Sequence, residues 1–122
     1  MRPELIMLDE EVEDGVRTAT AVLIHHDNEY QGTASGSSDV RNRLEVVCEA
    51  TLRAAASASP KDVGIHFAGV VVTDVRTRPI ALALVERLDS HEVLIGTAPV
   101  KSDGVTKAAA RALMDAVNRI LF

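Results

Sequence analysis

The sequence predicts an α+β fold, a duplicated βββα unit with pseudo-twofold symmetry, mainly antiparallel sheets and helices on one face. The first observation is internal similarity. Gly32-Thr33-Ala34 recurs as Gly96-Thr97-Ala98, and Ser38-Asp39 recurs as Ser102-Asp103 at the same offset. Glu49 to Ala55 lines up with Arg111 to Val117 at a slightly shorter offset, and Val16-Arg17-Thr18 with Val75-Arg76-Thr77 at a shorter one still. Matches in one order, each beside the same expected element, read as a duplication of about 60 residues. The second observation is the order of patterns, three apolar β-like runs before each of two helical stretches, which is the α+β signature. The third is composition. Of 122 residues 47% are hydrophobic and 2% aromatic, so one domain has an aliphatic core. Residues 1–58 form the first repeat and 59–122 the second.

Leu5 to Val12 reads as a first strand running into the acidic residues Asp9, Glu10, Glu11, Glu13 and Asp14. Such a patch reads as a solvated edge that blocks strand-to-strand aggregation. Asp14-Gly15 is a turn. Val16 to His26 is the clearest strand, apolar on both faces from Ala21 to Ile24, as for a central strand. Asp27-Asn28-Glu29 turns the chain and Tyr30 to Gly36 returns beside it. Ser38 and Asp39 are good N-cap residues for a helix over Val40 to Ser57. There Val40, Leu44, Val47, Cys48, Leu52 and Ala55 recur at three- and four-residue spacing. Glu49 and Arg53, four apart with the acid first, are placed to pair. Pro60 ends this stretch and the halves join around it.

The second half repeats the plan. Val63 to Val75 is a strand with the β-branched centre Val70-Val71-Val72. Arg76 to Pro79 turns, Ile80 to Arg87 is a strand, Leu88 to His91 turns and Glu92 to Val100 returns. Asp103 caps the last helix, whose Val105, Ala108, Ala112, Leu113, Ala116 and Ile120 form a broad apolar face of small residues.

Charge and composition narrow the functional classes. The net charge of −5 disfavours nucleic acid and anionic membranes, which need a positive field. The last helix mixes Lys107, Arg111 and Arg119 with Asp103 and Asp115, and aromatic platforms for stacking bases are almost absent. No run reaches the roughly 20 apolar residues that span a membrane, and no signal-like segment opens the chain. Cys48, the single cysteine, excludes a disulfide framework and fits a small core residue. A cytoplasmic location is expected. His25 and His26 point to opposite faces of a strand, so no metal site is expected from them. No catalytic spacing joins the serines, histidines and Cys48, and Gly-x-Ser-x-Gly is absent, so the expectation is not an enzyme and no cofactor.

The loops that lead into the two helices are the best ligand candidates. Gly32, Ser35, Gly36, Ser38 and Asp39 precede the first helix. Gly96, Lys101, Ser102 and Asp103 precede the second. Each run brings glycine, serine and backbone N–H groups to a helix N-terminus, which favours anions and carboxylates. Lys101 and Lys107 add positive charge.

The small-residue helix Ala108 to Ala112, its ending Ala116-Val117-Asn118-Arg119-Ile120-Leu121 and the Gly96 to Gly104 loop resemble the regulatory domain of the 2-isopropylmalate synthase and citramalate synthase family. That domain has two βββα repeats, and its second repeat closes on a similar Ala-Leu-Asn-Arg-Leu. The family's first loop carries Gly-x-Gly-Pro-x-Asp-Ala. Asp39 matches its Asp, while its Pro and final Ala have no counterpart here. The resemblance implies a domain that dimerises, binds an end-product amino acid and feeds back on a separate catalytic barrel, for which this chain has no room. The expectation is a non-enzymatic, standalone regulatory module. It would bind an amino or keto acid at the loops and act through a homodimer interface on a protein partner. The alternative is a structural or interaction module that has lost the ligand, favoured by the missing Gly-Pro pattern.

Overall fold

The computed structural model describes residues 2–122. Strands β1 (Glu4–Glu13), β2 (Val16–His25) and β3 (Asn28–Ser37) form an antiparallel meander, the N-terminal sheet. A 3₁₀ turn, Val40–Asn42, leads into α1 (Arg43–Ala58). Strands β4 (Ile65–Val75), β5 (Arg78–Arg87) and β6 (Val93–Pro99) form the C-terminal sheet, followed by α2 (Val105–Leu121). The fold is therefore the expected βββα-βββα, α+β, with both sheets wholly antiparallel.

The duplication extends to backbone detail. Ile6 bulges out of the β1–β2 register, and Ala68 bulges out of the β4–β5 register at the equivalent place in the second repeat. Ala21 faces Gly32 across the first sheet as Ala83 faces Gly96 across the second. The hairpin after β2 turns through His26 and Asp27, both at positive φ, whereas the one after β5 spans 88–92. This longer hairpin widens the offset between the repeats from β3 onward. A shorter strand-to-helix connection in the second repeat then restores it, since Ala50 matches Ala112 as Ile6 matches Ala68. One expected match fails. Val16 opens β2, but Val75 closes β4 and Arg76-Thr77 form the turn, so the counterpart of Val16 is Arg78. The hairpin register overrides the local similarity of Val-Arg-Thr. The β2–β3 hairpin likewise turns at 26–27, not at 27–29, because His26 and Asp27 supply the left-handed pair that a two-residue loop requires.

The two helices lie between the sheets. α1 packs on β2 and β3 and reaches β4, while α2 packs on β5 and β6. They run side by side in the same direction. Cys48 Sγ lies 3.7 Å from the Ala109 carbonyl near their starts, and Ser59 Oγ donates to the Leu121 carbonyl at 2.8 Å near their ends. The inner sheet faces are small: Ala19, Ala21 and Leu23 on β2, Ala81, Ala83 and Val85 on β5, all fully buried. One continuous core draws on both repeats.

Two expectations for α1 are corrected. Val40 is 75% exposed, because it sits in the 3₁₀ turn and not on the helix stripe. Arg53 does not pair with Glu49; its guanidinium donates to the Thr33 carbonyl at 2.6 Å. The acidic run of β1 is also not uniformly solvated. Glu10 points inward and takes bidentate hydrogen bonds from Arg43, both 2.8 Å, and one from Arg17 at 3.2 Å. The corresponding positions in the second repeat are apolar Val72, Pro79 and Val105.

Candidate functional site

Because the helices run in parallel, both strand-to-helix connections lie at one end of the molecule. The glycines that mark them serve packing. A Cβ on Gly32 would overlap the backbone of Ala50 and Ala54, and one on Gly96 the backbone of Ala112 and Ala116. With alanines beneath, each sheet rests directly on helix backbone. Gly36 repeats this more loosely, since a Cβ there would lie 2.8 Å from a Val46 methyl.

The loop residues are mostly engaged with their own turns. Asp39 Oδ1 accepts from the Arg41 N–H at 2.9 Å, so it caps the 3₁₀ turn. Its carboxyl is held below the usual carboxylate range by hydrogen bonds from the Arg41 side chain and backbone. Ser38 does not cap α1; its backbone N–H donates to the Gly15 carbonyl at 3.0 Å. Asp103 does not cap α2 either. Gly104 occupies the N-cap at φ 100, and Asp103 pairs with Arg111, Nη1 to Oδ1 3.1 Å. That pairing, chiefly the hydrogen bond, lowers the Asp103 pKa and raises that of Arg111. Lys101 accepts the Gly104 N–H through its carbonyl at 3.0 Å, and Ser102 lies exposed in this turn. Expectation missed the capping change because Asp-Gly before a helix reads as a cap in sequence, while Arg111 reaches back two turns to take the carboxylate.

Ser35 and Gly36 line a groove of about 390 Å³ beside α1, together with Glu45, Glu49, Arg53 and Phe67. Gly32, Ser38 and Asp39 lie outside it. A second groove, of about 420 Å³, runs beside α2 and is lined by Leu5, Arg111, Met114, Asp115 and Asn118. The two are related by the internal symmetry, since Leu5 corresponds to Phe67, Arg111 to Glu49 and Asp115 to Arg53. The charges are reversed at the last two pairs. Each groove is fastened in mirrored chemistry. Arg53 donates to the carbonyl of Thr33, whereas Asp115 accepts the N–H of Thr97 at 3.0 Å. These helix residues escaped the sequence reading because a charged helix stripe normally means solvent; only the cover given by β3 and β4 makes a groove of it.

Two other reactive side chains, Cys48 and His25, are buried. Burial pushes the Cys48 thiol up to about 12, so no thiolate forms near neutrality. His25 is buried at the end of β2, its ring edge-on to Phe122 at 4.9 Å. Burial, with the neighbouring His26, lowers its pKa. Among the described residues no group of three metal-ligating side chains comes together. Among them, too, no helix is long and apolar enough to cross a membrane. No model of a known protein family matches the chain, and no curated protein matches it.

Proposed function

We propose that the chain is a non-enzymatic regulatory module that binds a small α-amino or keto acid in the α1 groove and acts through a homodimer interface. The observation that carries this reading is the lining of that groove. Glu45 and Glu49 lie one helical turn apart, Arg53 a turn further on, and Val46 and Phe67 supply apolar wall. An amino acid carries an ammonium, a carboxylate and a side chain on one carbon. Carboxylates hold the first, a guanidinium pairs with the second, and an apolar wall accommodates the third. Ser35 and Gly36 contribute from β3. The βββα-βββα order and the ending of α2, in which this chain resembles the regulatory domain of the isopropylmalate synthase family, support the same class of role.

The test is thermal unfolding of the purified protein against amino acids and keto acids. A ligand at a hundred times its dissociation constant adds about 2.7 kcal/mol and raises Tm by several degrees. Glu45→Gln with Glu49→Gln is expected to abolish a shift caused by an amino acid. Ser102→Ala is expected to leave it. No shift with any of these compounds at millimolar concentration would reject the reading. The second reading, an interaction module without a ligand, is favoured by the consumption of Gly32 and Gly96 in packing and of Asp39 and Asp103 in ion pairs.

A further inference from the structure

The two sheets are equivalent in backbone but not on their outer faces. Alternation along β5 puts Ala81, Ala83 and Val85 on the helices and turns Ile80, Leu82 and Leu84 outward. The register sets Val71 of β4 beside Leu82, and Ile95 of β6 beside Leu84, on that outer face. Val71 and Ile95 are 51% and 52% exposed, and Val93 of β6 49%. These six side chains form a continuous aliphatic surface on a net-acidic protein.

The N-terminal sheet serves as an internal control. Its outer-face residues at the same six positions are Asp9, Thr18, Thr20, Val22, Glu29 and Gln31. Thr18 and Ser35 share a hydrogen bond of 2.9 Å across it. The fold therefore does not require a wholly aliphatic surface there; five of these six positions are polar in the same chain, and the sixth, Val22, is buried. Isolated exposed apolar side chains are ordinary, but a contiguous patch of this kind marks an interface.

We infer that the outer face of the C-terminal sheet is a self-association surface, on which a second copy of this chain docks face to face about a twofold axis. This names the interface for the dimer in the reading above and is independent of the ligand groove. The helices do not provide that interface, because their alanine faces are already buried within the chain. Docking on the partner's N-terminal sheet is disfavoured, since it would strip water from Asp9 and Glu29 against hydrocarbon.

Area and charge both fit a second copy. A ten-residue strand is about 33 Å long and three strands are about 14 Å wide, so two such faces bury on the order of 1,000 Å². That lies just below the range of stable interfaces and within that of weak ones, which predicts a dimer that dissociates on dilution. At either end of β5 the outer face carries a charge, Arg78 and Glu86, equally spaced about Leu82. A twofold axis across the strands at Leu82 sets Arg78 of each copy over Glu86 of the other. The opposite stacking would bring like charges together.

The experiment is sedimentation equilibrium over a concentration series. The wild type is expected to shift from the 13.1 kDa chain mass to twice that mass as concentration rises. The triple variant Ile80→Thr, Leu82→Thr and Ile95→Gln places on this face the residues its twin already tolerates. It is expected to stay at the monomer mass with an unchanged circular dichroism spectrum. The corresponding change on the other sheet, Thr20→Asp, is expected to leave the dimer intact. Arg78→Glu and Glu86→Arg are each expected to raise the dissociation constant at least tenfold, and the two together to restore it. A wild type that remains monomeric at all concentrations would overturn the inference and leave the face to a different protein or a lipid surface. So would a triple variant that is folded and still dimeric. The metabolite-induced Tm shift, measured on the monomeric variant, reports on the ligand reading separately.

Discussion

Replacing Gly32 or Gly96 by alanine would drive a methyl group into the backbone of the underlying helix. Neither wall can yield by a rotamer change, so each substitution is expected to cost about 3 kcal/mol, at the upper end of overpacking effects, in chemical denaturation. Gly15→Ala is the contrast. Gly15 has open space around its Cβ position but a φ of 76, and the expected cost is about 1 kcal/mol, from backbone strain alone. Cys48 is expected to react with a thiol reagent only at the rate of unfolding. Rapid labelling of the native protein would contradict its burial and its raised pKa. These residue-scale facts were partly legible in the sequence. The recurrence of Gly-Thr-Ala flagged both glycines. Their purpose was not legible, because a glycine before a helix reads equally well as a ligand cradle and as a close approach, and only the position of Ala50 and Ala112 beneath decides.

Elements were read largely from alternation and spacing, and those signals survive folding. The strands and both helices fall within a few residues of where the apolar pattern sets them. The failures lie where tertiary partners outrank local pattern. Val40 continues the helical stripe in sequence, yet Asp39 winds the chain into a 3₁₀ turn that carries it to solvent. Glu10 belongs to an acidic run, yet Arg17 and Arg43, distant in sequence, draw it inward. Hydrogen bonding to Arg43 in particular lowers its pKa. Glu10→Val alone strands two guanidiniums and is expected to destabilise the protein by about 1–2 kcal/mol. Glu10→Val with Arg43→Val installs the apolar pair found at the equivalent positions of the second repeat. It is expected to recover part of that loss, since an ion pair replaced by hydrocarbon is often neutral while Arg17 still lacks its carboxylate. Urea unfolding of the two variants checks both.

At the scale of the molecule, acid acts in two windows. The lowered pKa of His25 means that the unfolded chain takes up its proton first as pH falls below about 6.5. Stability is therefore expected to decline from pH 7 towards 5, and His25→Phe to flatten this limb of a Tm-against-pH curve. The carboxyls of Glu10, Asp39 and Asp103 are held low by their arginines, so their contribution is present above about pH 4 and is lost below it. The single core adds a further expectation. Residues 1–58 and 59–122, expressed separately, should each lack stable structure, and the whole chain should unfold in one transition by circular dichroism. Independent folding of either half would show that the helix pair is dispensable.

The parallel placement of the helices sets the tempo of folding. Every strand pairing joins neighbours in a meander and closes over a short loop, so both sheets can form early from local contacts. The contact between Cys48 and Ala109 joins one repeat to the other and has no local substitute. The slow step is then expected to be the meeting of the two repeats, each offering the other an alanine surface. During that interval a nascent half has no means of distinguishing its own second half from another molecule's, and the short connection 59–64 between α1 and β4 is all that favours the correct one.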